Sequence, residues 1–276
     1  MYMKLKDGKS KVVTLSYDDG FVYDMKMVEI LDRYGLKCTF NLNSGKYFPE
    51  DEERERFKGK MKLSECQALY INSGHEVACH ALTHPFLERL KMPEVLEEIL
   101  ADRKNLEDQF GTIIRGMAYP YGTYSDSVVK ALRMSGIAYA RTTKATQKYH
   151  FPEDWLELHP TCHHTDPNFM ELAKDFVENQ PDHNYYINCM FYVWGHSWEF
   201  NRHKNWELLE EFGEYIGGRE DIWYATNIEI YDYVKAYESL QVSVDKKIIH
   251  NPSAIDIWFE EKKETYCVKA GQTLYL

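Results

Sequence analysis

The chain has 276 residues, 44% of them hydrophobic, which is ample for a buried core and excludes a disordered polymer. A net charge of -11 with no basic stretch excludes nucleic acid as an expected partner. No run is long enough to span a membrane, and the polar residues 1–11 lack an apolar signal core, so no membrane partner and a cytoplasmic location are expected. The length suits one large domain or two small ones. Cys38, Cys66, Cys79, Cys162, Cys189 and Cys267 are scattered with no CxxC pair, and read as reduced small hydrophobes. Abundant aromatics fit a groove that stacks on sugar rings, and equally an aromatic core.

The first predicted strand is Lys11-Val12-Val13-Thr14-Leu15, rich in β-branched residues. It runs into Ser16-Tyr17-Asp18-Asp19-Gly20. The spacing predicts a helix over 25–34 closed by Gly35, and a strand over 37–42. Residues 51–62 read as a charged, solvated surface segment. A helix over 63–73, capped near Ser64, leads to a short strand over 76–79 that ends at His80. A long amphipathic helix over 93–110 turns Val95, Ile99, Leu106 and Phe110 inward. A strand over 116–119, a helix over 125–135 and a strand over 138–141 follow. Helix 169–179, strand 185–194, helix 206–216, strand 223–225 and helix 227–240 complete the pattern.

This alternation implies parallel strands with helical crossovers. The expected fold is α/β: a deformed (β/α) barrel of seven or eight strands, with a doubly wound open sheet as the rival. The barrel is assigned to residues 1–240. Residues 241–276 alternate in the manner of strands and are expected to form a small C-terminal β appendage packed on the barrel. In either architecture, sites form at the carboxyl ends of the strands.

Four stretches fall at such ends. Asp18-Asp19-Gly20 places two like charges side by side, a conflict that a divalent cation resolves; a solvated turn is the plain alternative. His80-Ala81-Leu82-Thr83-His84 offers two imidazoles from a helical turn or a compact loop, and Pro85 argues against a helix. Two imidazoles with one carboxylate suit zinc or a similar ion, with positions left open. In Ala118-Tyr119-Pro120-Tyr121-Gly122 a tight turn presents a backbone N–H. His196, flanked by Trp194 and Trp198, suits a general acid. His163 and His164 are either a surface pair or part of the site.

This ordered set resembles the polysaccharide deacetylase family, the chitooligosaccharide deacetylase-like domain of carbohydrate esterase family four, over residues 10–235. The resemblance implies a divalent metal, most often zinc or cobalt, and removal of N-acetyl or O-acetyl groups from carbohydrate. It implies Asp18 as catalytic base, Asp19, His80 and His84 as metal ligands, the Tyr121 main-chain N–H as oxyanion donor and His196 as catalytic acid. The pattern has departures. The family's Ser or Thr after the first histidine is Ala81, so one loop hydrogen bond is missing. The family's Arg before the third-motif proline is Ala118, with Arg115 off register, so the brace on the base is lost or supplied elsewhere. The acidic partner of His196 has three candidates: Asp154, Asp166 and Glu199. Without an export signal, a small soluble glycan or another non-peptide amide is favoured over a cell-wall polymer. Two other functions stand beside the leading one: hydrolysis of a different linear amide or formamide, and a sugar-binding barrel without turnover. A serine or cysteine hydrolase finds no GxSxG.

Overall fold

The computed structural model describes residues 1–53, 59–178 and 188–276. The chain opens with β1 (Tyr2–Lys4). The barrel strands are β2 (Lys11–Asp18), β3 (Cys38–Leu42), β4 (Glu76–Cys79), β5 (Gly116–Ala118), β6 (Tyr139–Arg141), β7 (Cys162–His163), β8 (Cys189–Gly195) and β9 (Ile222–Tyr224). Between them run α1 (Asp24–Arg33), α2 (Leu63–Tyr70), α3 (Met92–Phe110), α4 (Asp126–Met134), α5 (Phe169–Glu178), α6 (Ser197–His203) and α7 (Trp206–Ile216), and α8 (Asn227–Glu238) follows β9.

All ladders in this sheet are parallel, in the order β6-β5-β4-β3-β2-β8-β7. The centre is β2, buried on both faces along its whole length, as its continuous apolar and β-branched run requires. Its partner β8 covers Lys11 to Tyr17 on one side. On the other side β3 pairs with residues 15–18 and β9 with residues 11–13. A regular ladder does not join β6 to β7. The irregular segment 158–163 spans that gap: Leu158 bridges Arg141, and Cys162 pairs with Val193. The result is a curled, deformed barrel, as the alternation of elements implied.

Helix α3 shows how local sequence sets local structure. Pro93 sits in its first turn, and Gly111 ends it in the left-handed conformation with its N–H on Glu107 O. Its buried stripe is Val95, Ile99, Asp102 and Leu106, so one carboxyl faces inward among the aliphatics. Helix α2 is capped through the Lys62 N–H donating to Glu65 at 2.8 Å, not by Ser64, whose N–H and hydroxyl both donate to Glu50. It ends at Tyr70, short of the expected residue 73.

Two small antiparallel sheets lie beyond α8. One is β10 (Gln241–Val242), β11 (Ile248–His250) and β14 (Thr273–Tyr275), and the other pairs β12 (Ile257–Glu261) and β13 (Glu264–Val268) with β1 from the N-terminus. At three residues, Tyr2-Met3-Lys4, β1 is too short to show a strand period in the sequence; it is held by its pairing with β12. The Tyr233 hydroxyl of α8 donates to Lys4 O at 2.8 Å and accepts from the Trp258 N–H at 3.0 Å, tying both strands to the helix. Ile249, Ile257, Phe259 and Val268 are buried in one cluster with Trp223, Ile230 and Tyr233. Among the described residues, no helix is long and apolar enough to cross a membrane. All six cysteines are free thiols, four of them buried.

The expected solvated segment 51–62 lies partly outside the described residues, and its last part is not solvated. Met61 is fully buried and Lys60 reaches into the site. The predicted strand 185–194 and helix 169–179 also begin or end outside the described residues; their described parts are β8 and α5.

Candidate active site and metal centre

The carboxyl end of each of seven strands contributes to one rim. Asp18 is the last residue of β2 and Asp19 follows it; Asn41 lies next to the end of β3. His80 follows β4, and the turn Tyr119-Pro120-Tyr121 follows β5. Arg141 ends β6, His163 ends β7 and His196 follows β8. Parallel strands of one sheet all point their carboxyl ends the same way, so residues scattered over 179 positions meet here.

One side-chain atom each of Asp19, His80 and His84 lies within 4.8 Å of the other two. The two Nε2 atoms of the histidines are 3.1 Å apart. Nδ1 of His80 donates to Ala118 O at 2.8 Å, so its Nε2 carries the lone pair. Burial, then neighbouring charge, pushes His84 down to about 4, and burial lowers His80 as well. Both imidazoles are therefore neutral at pH 7, the form that binds a metal. Two ring nitrogens this close match neighbouring ligands on one ion, for which Zn–N bonds of about 2.0–2.1 Å give a separation of about 3.3 Å. The residues present fit a divalent cation.

The loop carrying both histidines is a compact turn, not a helix, with Ala81 and His84 left-handed. Helix α3 holds it from beneath. Glu98 accepts from the Thr83 N–H and hydroxyl at 2.8 and 2.7 Å, and one turn later Asp102 accepts from the His80 N–H at 3.0 Å and the Ser44 N–H at 2.8 Å. Asn43 adds hydrogen bonds to the carbonyls of His80 and Ala81. These contacts replace the hydroxyl missing at Ala81. Burial pushes the Asp102 carboxyl up to about 7. Its folded value lies above the unfolded one, so its contribution is complete below about 4 and fades as pH rises through 7. Asp102→Asn keeps the shape but loses one of two acceptor sites. We expect a cost of about 1–3 kcal/mol at pH 5, and a gap to the natural chain that narrows by pH 8, read from urea unfolding at both values. A constant gap removes the titration from the account.

Asp18 is almost fully buried. Its Oδ2 pairs with the Arg141 guanidinium, and its Oδ1 accepts from Asn41 Nδ2 at 2.9 Å. Oδ2 also lies 3.9 Å from His80 Nε2 and 4.0 Å from His196 Nε2. Burial pulls its pKa upward, but Arg141 and the two imidazoles outweigh that, and the carboxyl ends below its ordinary value. Arg141 is itself wholly buried, with its Cζ 4.6 Å from the Trp194 ring centre. The brace on Asp18 is thus supplied, from β6. Arg115 is turned elsewhere, onto Asp232 at 2.5 Å.

His196 has its Nε2 3.9 Å from Asp19 Oδ2 and its Nδ1 3.2 Å from Glu199 Oε2. Glu199 opens α6 and also accepts from the His196 N–H at 2.9 Å. Of the three candidate partners it is the one in place; Asp154 caps a turn at Leu156 and pairs with Arg133, and Asp166 accepts from Gln147. Burial disfavours a charged His196, but Glu199, Asp18 and Asp19 outweigh it, so its pKa is raised. His163 donates to the same Glu199 oxygen at 3.1 Å, and His164 lies 3.7 Å from it. His164 is wholly buried, which removes the surface-pair reading for it. A Cβ on Gly195 would meet His164 Nδ1 at 2.0 Å, so only glycine lets β8 pass this ring. Trp194 and Trp198 flank His196, ring centres 5.9 and 5.6 Å away.

Tyr121 is left-handed at φ 60° and packs its ring 4.5 Å from that of His84. The turn's own bonds use the Gly122 and Thr123 N–H groups, and Pro120 has none, so the Tyr121 N–H stands outside them. Asp19, Ala81, His84 and Tyr121 all carry positive φ without being glycine. Such strain concentrates where surrounding structure imposes an arrangement.

Residues 5–140 match the family model described as polysaccharide deacetylase. That stretch, just under half of the chain, is similar to the polysaccharide deacetylase family. Among curated relatives, the peptidoglycan-N-acetylglucosamine deacetylase of Listeria monocytogenes is 25% identical over 148 residues, 53% of this chain and 27% of its own length. The chitooligosaccharide deacetylase of a Bradyrhizobium strain is 33% identical over 132 residues, 47% of this chain and 54% of its own. The chain thus spans about a quarter to about half the length of these relatives. Among solved structures, a Streptomyces lividans family 4 carbohydrate esterase in complex with acetate superposes with TM-score 0.51 at 14% identity, over 78% of this chain and 91% of that one. A Clostridium thermocellum family 4 acetyl xylan esterase in complex with a cobalt ion gives 0.53 at 16%, over 80% and 90%. These likenesses show the shared fold.

Sequence reasoning passed over Asn41, Lys60, Asp102 and Arg141. Arg141 and Asn41 had a usable signal, a polar residue at the end of a barrel strand. Asp102 had another, an acid inside an apolar helical stripe. Lys60 had none, because its segment reads as solvated surface.

Proposed function

We propose that this chain removes the acetyl group from an N-acetylated carbohydrate, with a divalent ion, zinc or cobalt by donor type, held by Asp19, His80 and His84. The observation that carries the reading is the meeting at one rim of that trio with Asp18 and His196: Asp18 lies 3.9 Å from His80 and 4.0 Å from His196, and His196 lies 3.9 Å from Asp19. The family-model match over residues 5–140 and the names of the relatives support the acyl chemistry. When bound, such an ion supplies Lewis acidity to the acyl oxygen and to water. The chain's own groups do the rest. Asp18, kept ionised by Arg141 and Asn41, accepts the proton of the attacking water. The Tyr121 N–H donates to the oxygen on which charge develops. His196, kept protonated by Glu199, delivers its Nε2 proton to the departing nitrogen.

That last step favours an amide over an ester, because an amine leaves poorly without a proton. His196→Ala is therefore expected to lower turnover on N-acetyl sugars about 10²–10⁴-fold and on an activated aryl acetate far less. Equal losses on both would sink the acid role. Metal analysis of the purified chain, with acetate release from N- and O-acetylated sugars and formate release from formylated amines, tests the whole reading. No release from any of them, with the metal bound, leaves a binding barrel instead.

A further inference from the structure

Lys60 reaches Asp19 from far along the chain, and backbone pairing delivers it. The Val22 N–H donates to Gly59 O at 3.2 Å, the Met61 N–H to Gly20 O at 2.8 Å, and Phe21 and Lys60 form an antiparallel bridge. The Lys60 ammonium stands 4.9 Å from the centre of the Phe21 ring. It donates to Asp19 O at 2.5 Å and to Asp19 Oδ1 at 2.8 Å, with only 20% of the side chain exposed. This is a fixed ammonium, not a loose surface arm.

We infer that Lys60 is a built-in counter-cation that weakens, and so sets, the metal affinity of the Asp19–His80–His84 centre. The inference rests on the reading of those three residues as the ligands. The two adjacent carboxylates at the rim each already have a cationic partner: Arg141 for Asp18 and Lys60 for Asp19. A divalent ion therefore arrives at a site with no uncompensated anion, next to an ammonium that shares its carboxylate. Two effects oppose each other. By holding Asp19 still, Lys60 favours binding, and loss of such a positioning contact typically takes about 10–100-fold from metal affinity. By repelling a dication across the width of a carboxylate, Lys60 disfavours binding, and at an effective dielectric of about 20 that term is the larger. Repulsion wins. The centre is thereby tuned for an ion that exchanges rather than one locked in place.

The test is zinc affinity of the chelator-stripped chain, measured by competition with a chromophoric chelator. Lys60→Met is expected to bind zinc at least about tenfold more tightly, and Lys60→Arg, which keeps the charge, to stay within about threefold of the natural chain. Lys60→Gln is the second neutral variant, should Lys60→Met fold poorly, and it too must tighten binding. Unchanged or weaker binding in the folded neutral variants overturns the inference and makes Lys60 a positioning contact. Asp19→Asn separates this from the reading beneath it. If that variant binds zinc as the natural chain does, the ligand assignment itself is wrong. If it loses zinc while the neutral lysine variants are unchanged, only the role of Lys60 falls.

Discussion

Asp18→Asn is expected to retain the metal and lose turnover by about 10²–10⁴-fold on an N-acetyl sugar. The substitution is nearly isosteric. Asn41 can still meet the oxygen of the new amide, and the Asp19, His80 and His84 trio is untouched. What disappears is the one carboxylate poised between His80 and His196 that is not needed as a ligand. Metal content by elemental analysis and turnover on the same preparation check this together. Loss of the metal would move Asp18 into the ligand set, and undiminished turnover would take the base role away from it. Asp19→Ala or His84→Ala should behave in the opposite way and empty the centre, since each removes one of three donors.

Arg141→Met is expected to lower stability by about 3–5 kcal/mol, the usual consequence of leaving one member of a buried ion pair alone. Both partners lie almost entirely out of water. Without the guanidinium, burial dominates at Asp18 and drives its carboxyl toward the neutral form, so the variant should also be inactive near neutral pH although every residue of the metal trio remains. Unfolding by urea gives the first effect and turnover the second. The double variant Arg141→Met with Asp18→Asn should be less destabilised than the two single costs added together, because the stranded charge is gone. Simple additivity would mean that the two side chains do not act as a pair.

Much of this molecule is legible in its sequence, and the reason is period. Apolar runs such as Val12-Val13 and the stripe Val95, Ile99 and Leu106 announce a buried strand and an amphipathic helix. The order of strand and helix then implies a parallel sheet, and a parallel sheet puts strand-ending residues together. That is why Asp18, Asp19, His80, Tyr121 and His196 are found on one rim. What stays hidden depends on contacts that no local pattern encodes. Arg141 was visible as a strand end but not as the partner of a residue 123 positions earlier. Glu199 could not be separated from Asp154 and Asp166 without knowing how α6 turns after β8. Lys60 sits in a charged stretch, and only its pairing with the loop after β2 makes it part of the site. Strand β1 is only three residues long, too short for alternation to declare it, and depends on β12.

The left-handed backbone at Asp19, Ala81, His84 and Tyr121 means that this rim is not built for maximal durability. At each of the four positions glycine would sit more comfortably, yet three of them need a side chain for chemistry and packing. Ala81 alone is free to yield, and there a glycine is the more relaxed occupant, while a threonine, branched at its first carbon, is the less welcome one. The robust chain and the working chain are thus different sequences, and they part company at a few residues beside the proposed metal site.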